Sequence, residues 1–292
     1  MPSYFCDAEE LPCPLPTSAE IKASTESLPC VANSQCKRVV RVKDRFVVKY
    51  GIWPWVTENE GHALLVLNQY SGIPTPRLYA MYSEEDTIFL VMEFKEGNRL
   101  SELWKDMLED DKQTIVRQLK HIFTEVRNIP SPGIFSSINR SRLEHRFFLS
   151  SQKDPAVTGP FREEKEFAMA MAIRAQKNWE GTQYRGWFSE FLARHLPTVL
   201  SGHPSVFTHA DLQRKNILIS KHISEDGKMS SLYVNAILDW EDSGWYPNYW
   251  EYAGNFVDLV WDDDWPEKFE SIVEPYPMEA GLLMMVKQNI EH

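Results

Sequence analysis

The chain has little sulfur with which to cross-link itself. Its four cysteines, Cys6, Cys13, Cys30 and Cys36, all fall in the first 36 of 292 residues. None makes the tight Cys-x-x-Cys pair of a structural zinc site. They read as free thiols in a reducing compartment. Long apolar runs are missing as well. No stretch approaches the roughly 18 residues of a membrane-spanning helix, so no membrane partner is expected. The amino-terminal stretch is acidic and punctuated by Pro2, Pro12, Pro14 and Pro16, with no apolar core, so no secretory signal is seen and the cytosol is the default. Positive charge is in deficit. Against 42 Asp and Glu stand 31 Lys and Arg, a net charge of −11, which argues against nucleic acid as a partner and leaves room for a cationic one.

What is present suits a folded protein. Hydrophobic residues make up 43% and charged residues 25%, ordinary for a globular chain, and the length allows one large domain or two lobes. There is no internal repeat. Met1 to Ser27 reads as an extended arm with a short helix over Ser18–Ser24. Arg38–Val42 and Phe46–Tyr50 are β-rich and separated by Lys43-Asp-Arg, which predicts a hairpin. Thr57 followed by Glu60 looks like a capping box opening a helix through Ala63-Leu-Leu-Val-Leu67. Thr87–Phe94 is apolar on both faces and predicts a buried strand, broken by Lys95-Glu-Gly97. Beyond it the pattern turns helical. Apolar residues at spacings of three and four (Ile115, Leu119, Ile122, Phe123, Val126) predict a helix over Lys112–Arg127, and further helices are expected over Leu100–Leu108, Glu163–Lys177, Gly186–Leu196, Tyr252–Val260, Trp265–Val273 and Met278–Ile290.

The stretch that orders the rest runs from Val206 to Glu251. His209, Asp211 and Asn216 precede the apolar run Ile217-Leu-Ile; Asp239 follows Ala236-Ile-Leu. Ile217–Ser220 and Leu232–Leu238 are β-prone and flank a polar connection, which predicts an antiparallel hairpin. Pairing of the two strands would bring Asn216 and Asp239 to one point. Carboxylate and amide oxygens meeting there suit Mg²⁺, which prefers hard oxygen ligands.

His209-Ala-Asp211-x4-Asn216 with Ile-Leu-Asp239-Trp resembles the catalytic and metal motifs of the aminoglycoside phosphotransferase and choline kinase superfamily, cousins of the protein kinases. Gly244-Trp-Tyr-Pro-x-Tyr-Trp-Glu-Tyr252 looks like its fungal branch. The resemblance implies an α+β, two-lobed, protein-kinase-like fold: a small amino-terminal sheet lobe with one helix and a larger, mostly helical lobe. The divisions expected are an arm over 1–27, a nucleotide-binding lobe over 28–94, and a lobe over 95–292 carrying the central motif. It implies ATP and Mg²⁺ as cofactors and a small-molecule hydroxyl as acceptor, cationic in the aminoglycoside and choline branches. In those terms Asp211 would be the base, Asn216 and Asp239 would hold Mg²⁺, Lys49 would hold phosphate and Glu60 would position Lys49. Backbone groups near Glu93 and Phe94 would meet an adenine edge, with Met92 lining the pocket behind. Ala210 and Trp240-Glu241 depart from the protein-kinase pattern, and the short span from Asp239 to Glu251 leaves little room for an activation segment. The glycine-rich phosphate loop is absent; Val31–Gln35 stands in its place. That absence leaves a second reading, a catalytically weak nucleotide-binding or scaffold protein.

Several residues carry two readings. Asp262, Asp263 and Asp264, between Trp261 and Trp265, suit either an acidic helix start or an amine held by carboxylates and aromatic faces. Glu241 and Asp242 suit supporting or surface roles, and Arg214 and Lys215 suit phosphate contact or solvent. His209 reads as structural, packed under the loop.

Overall fold

The computed structural model describes residues 3–29, 36–180, 186–223, 230–258 and 262–290. The chain opens with β1 (Tyr4–Phe5) and α1 (Ser18–Ala23). A hairpin follows, β2 (Lys37–Val42) and β3 (Phe46–Gly51), then α2 (Asn59–Leu67) and a second hairpin, β4 (Leu78–Glu84) and β5 (Thr87–Glu93). These strands form one antiparallel sheet in the order β1-β4-β5-β3-β2.

Alternation along the strands assigns its two faces. Val40 and Val42 of β2, Phe46 and Val48 of β3, and Phe89 and Val91 of β5 pack together on the outer face. Their neighbours Val39, Val47, Lys49 and Met92 face the other way and line a cleft.

The arm does not stand apart. Tyr4 pairs with Met81 at one edge of the sheet, and Leu28 N–H donates to the Val39 carbonyl at the other (2.9 Å). Ile21, fully buried, covers the outer face with help from Leu11 and Leu15. That face is apolar, and water would otherwise meet it. The short helix is the one the sequence predicts, closed by a Thr17–Glu20 capping box.

Past the hinge between the lobes, residues 94–97, come β6 (Asn98–Arg99), α3 (Leu100–Leu103), α4 (Glu109–Arg127), β7 (Ser136–Ser137), α5 (Pro155–Thr158), α6 (Glu164–Trp179) and α7 (Trp187–Val199). The helix expected over Leu100–Leu108 is thus only one short turn plus a 3-10 turn at Trp104–Asp106. Next are β8 (Ser205–Thr208), β9 (Ile217–Ile223), β10 (Ser230–Ile237), β11 (Gly244–Pro247), α8 (Trp250–Phe256), α9 (Trp265–Ile272) and α10 (Pro277–Ile290). α4 buries Ile115, Val116, Leu119, Ile122, Phe123 and Val126, the stripe its periodicity implies. The main core also takes in Ala63, Leu64 and Leu67 of α2, so that helix belongs by packing to both lobes. Among the described residues no helix is long and apolar enough to cross a membrane.

Candidate active site

The predicted hairpin is present. β9 and β10 pair antiparallel with Ile237 opposite Ile217, and Leu238 N–H donates to the Asn216 carbonyl (2.8 Å). The ends of the two strands therefore deliver Asn216 and Asp239 side by side. The turn before β9 is held by its own polar groups. Asn216 Nδ2 donates to Asp211 Oδ2 and to the Asp211 carbonyl (2.9 Å each). Gln213 Nε2 donates to Asp211 Oδ1, and Lys215 Nζ lies 3.4 Å from Oδ2. Burial raises the Asp211 carboxyl above its ordinary range, with Lys215 and His209 opposing.

His209 is buried under this turn. Its Nδ1 accepts from Asp211 N–H (3.1 Å), which leaves Nε2–H to donate to the Leu238 carbonyl (2.9 Å). Its own N–H donates to Glu251 Oε2 (2.7 Å), and Glu251 is fully buried. One imidazole thus ties the Asp211 turn to the Asp239 turn. Both turns use left-handed backbone, at Ala210 (φ 68°) and Asp239 (φ 63°), a conformation that side-chain-bearing residues adopt at a cost.

From the opposite lobe Lys49 reaches in. Its buried Nζ lies 2.6 Å from Glu60 Oε2, 2.6 Å from Asp239 Oδ1 and 2.7 Å from Glu241 Oε2. Burial pulls its pKa down, but Asp239, Glu241 and Glu60 outweigh that and hold it well above 10.5. Burial likewise pushes Asp239 up, and Lys49 and Lys37 reverse the sign, holding its carboxyl below the ordinary range. Glu60 goes the other way: burial raises it, with Lys49 opposing. The capping box expected for α2 is not formed. The helix starts one residue later, with Glu58 at the N-cap and Thr57 Oγ1 accepting from Asn59 N–H. Glu60 is then free of any capping duty and turns inward to Lys49.

Two residues in this assembly carry no local signal. Asn59 is buried; its Nδ2 donates to the carbonyls of Glu241 (2.9 Å) and Ser243 (2.7 Å), and its Oδ1 accepts from Ile138 N–H. Glu251 is visible in the sequence only as one letter of an aromatic tail motif. Glu241, left open by the sequence, bridges Lys49 and Lys37. Asp242 lines the cleft, and burial, then Glu241, lift its carboxyl well above the ordinary range.

The cleft between the lobes has a volume of about 980 Å³. Val39, Val47, Met92 and Leu218 line one part; Trp55, Glu144, Arg146 and Asp258 line another. At the hinge, Glu93 N–H donates to the Arg77 carbonyl (2.8 Å) and Phe94 N–H to the Arg45 carbonyl (3.0 Å). Both amides continue the sheet's ladder, so neither is available to a base edge. Val31–Gln35, the stretch in place of a phosphate loop, lies outside the described residues. The acidic run is elsewhere. Asp264 accepts from Trp104 Nε1 (2.8 Å) and pairs with Lys112, Asp263 pairs with Arg214, and Asp262 is exposed. Trp265 packs edge-on against Trp104 (5.0 Å), and Trp261 lies outside the described residues. Asp263 and Asp264 and the Trp265 ring are engaged by the protein itself, and among the described residues of the run none lines the cleft.

The model of the phosphotransferase enzyme family matches residues 40–273. No curated protein matches the chain. Solved structures resemble it in fold. A thermostable mutant of the aminoglycoside phosphotransferase APH(4)-Ia, in its apo form, aligns over 93% of this chain and 86% of its own with 15% identity and a TM-score of 0.57. A further substituted form of that mutant, in ternary complex with ADP and hygromycin B, aligns over 94% and 88% with 15% identity and a TM-score of 0.58. The streptomycin-ATP-APH(2")-IIa ternary complex aligns over 90% and 82% with 13% identity and a TM-score of 0.54.

Proposed function

The chain belongs to the phosphotransferase enzyme family, and from that premise we propose that it transfers the γ-phosphate of ATP, carried with Mg²⁺, to a hydroxyl group of a small molecule. The observation that carries this reading is the position of Lys49. Its ammonium joins Glu60 of the small lobe to Asp239 of the large one, and Asp239 is brought beside Asn216 and the Asp211 turn by the β9–β10 pairing. Complexes of fold relatives with ADP and hygromycin B, and with ATP and streptomycin, add support.

The donor set fits a magnesium ion. Asn216 commits its Nδ2 to Asp211, which leaves its amide oxygen open, and Asp239 uses only Oδ1 on Lys49. Oxygens of Glu60, Asp239 and Glu241 also lie within 4.8 Å of one another. Hard oxygens in small number suit Mg²⁺, which keeps several of its waters. In this reading Asn216 and Asp239 hold the ion, whose charge neutralises the phosphates.

The protein's task in phosphoryl transfer is mainly placement and charge. Lys49 meets the phosphates once nucleotide enters, and Glu60 keeps it aimed. Met92 and Val47 pack against the base. With the Glu93 and Phe94 amides in use, the next backbone donor along the hinge is Lys95 N–H. Asp211, fixed by Gln213 and Asn216, orients the acceptor hydroxyl. As the new O–P bond forms, the bond to the ADP oxygen breaks and the hydroxyl proton passes to Asp211.

The test is transfer from Mg·ATP across a panel of alcohols and amino alcohols. Asp211→Asn is expected to lower kcat by roughly 10²- to 10⁴-fold while Mg·ATP still raises the melting temperature. Thermal stabilisation by Mg·ATP with no acceptor phosphorylated by the natural protein would instead support a nucleotide-binding scaffold.

A further inference from the structure

We propose that Lys37 is a second phosphate-contacting cation of the nucleotide site, exchanging the Glu241 carboxylate for the terminal phosphates of bound nucleotide. This rests on the reading above that the cleft takes ATP. The first observation is one of register. In the β2–β3 ladder Val39 lies opposite Lys49, so the two side chains share a face. Lys37, two residues along β2 from Val39, shares it too. That face lines the cleft, and Lys37 lines it beside Val39 and Lys49.

The second observation is the partner. Lys37 Nζ donates to both oxygens of Glu241, at 3.0 and 2.9 Å. Glu241 Oε2 lies at the same time 2.7 Å from Lys49 Nζ. Two ammonium groups are thus held on one carboxylate, at side-chain exposures of 11% and 5%. Each needs an anion at that point whatever the state of the cleft. Glu241 stands two residues after Asp239, so an ion held there by Asp239 would compete for the same carboxylate oxygens. Both lysines would then turn to the incoming phosphates.

The third observation is a shortage. No glycine lies between Leu28 and Lys37 in the sequence, and glycine is the residue that most readily allows the close backbone approach by which amides cradle phosphate. A side-chain cation at the head of β2 would supply charge to the cleft that Lys37 lines. A lysine serves as a point charge and needs no fixed fork geometry.

The bland account is a structural ion pair between lobes. The two accounts differ in what they do to a nucleotide series. Affinities of adenosine, AMP, ADP and ATP, with Mg²⁺, are measured by calorimetry on the natural chain, Lys37→Met and Lys37→Arg. The expected result is that Lys37→Met weakens ATP and ADP by about tenfold, as loss of one charge-assisted contact implies, leaves adenosine unchanged, and is largely restored by Lys37→Arg. Equal weakening across the series, or an unchanged ATP-to-adenosine ratio, overturns the proposal while the nucleotide reading stands. Failure of the natural chain to bind any of the four overturns both.

Discussion

Burial that outweighs a neighbouring opposite charge makes a single residue pH-sensitive, and His145, with Asp258 opposing, is the clearest case. It is buried beside Phe147, Tyr246 and Trp250. Burial, with help from Arg146, pushes its pKa down to about 3 from an ordinary 6.5. The sign follows directly. A group that resists protonation when folded and accepts it when unfolded destabilises the fold as pH falls below the unfolded value. The loss runs from about pH 6.5 downward, at about 1.4 kcal/mol per pH unit, and levels off near pH 3. His145→Asn offers an acceptor to Phe147 N–H, which His145 Nδ1 now serves, and lacks the titration. Its chemical-denaturation stability is expected to fall less steeply than the natural chain's between pH 6.5 and 5. Parallel slopes for the two proteins would show that His145 is reached by protons without unfolding. Nothing local announces this role: His145 sits in a loop-rich stretch, and Trp250 against it comes from more than 100 residues away. Asp211, Asn216 and Asp239 are legible for the opposite reason. Their spacing is local, and one hairpin suffices to assemble them.

At the scale of elements, the joint between α2 and the Asp239 turn depends on one side chain. Asn59 fills both of its Nδ2 hydrogens and its oxygen with backbone groups from two other segments. Asn59→Ala leaves the buried Ser243 carbonyl and Ile138 N–H, and the half-buried Glu241 carbonyl, without these partners, and a buried group costs about 1–3 kcal/mol when unpaired. We expect a loss of roughly 2–4 kcal/mol by urea denaturation. Nucleotide affinity should fall with it, since α2 carries Glu60. Retention of full affinity in a destabilised Asn59→Ala would show that Glu60 is placed by the sheet rather than by this joint. Asn59 is invisible in the sequence because its partners lie 79 to 184 residues away. Thr57 and Glu60, by contrast, have an obvious local reading as a capping box, and tertiary charge overrides it: an acid beside Lys49 is more useful to the fold than one capping its own helix. The arm shows the same limit. Its composition is polar and proline-rich, yet Ile21 and Tyr4–Phe5 find a sheet face and a sheet edge that no short window reveals.

For the whole molecule, the two lobes meet through charge as well as through packing. Lys49 is compensated by three acids, Glu60 from α2 and Asp239 and Glu241 from the far side of the cleft. On the proposed reading, stability and nucleotide binding draw on the same ammonium, and the two can be separated by experiment. Lys49→Met should destabilise the free protein by about 3–5 kcal/mol, because Glu60 is left buried without its cation. Lys49→Met with Glu60→Leu removes the most buried of those acids as well, and replacing both members of a buried pair by apolar groups is often neutral. The double variant should therefore regain much of the lost stability. It should not regain the response to ligand. In the natural chain, Mg·ATP at a hundred times its Kd should raise stability by about 2.7 kcal/mol; both variants should show far less at the same concentration. Denaturant titrations of the three proteins, each with and without Mg·ATP, give the six numbers needed. A double variant that recovers the ligand response along with its stability would mean that Lys49 holds the lobes together and that the phosphates are met by other cations.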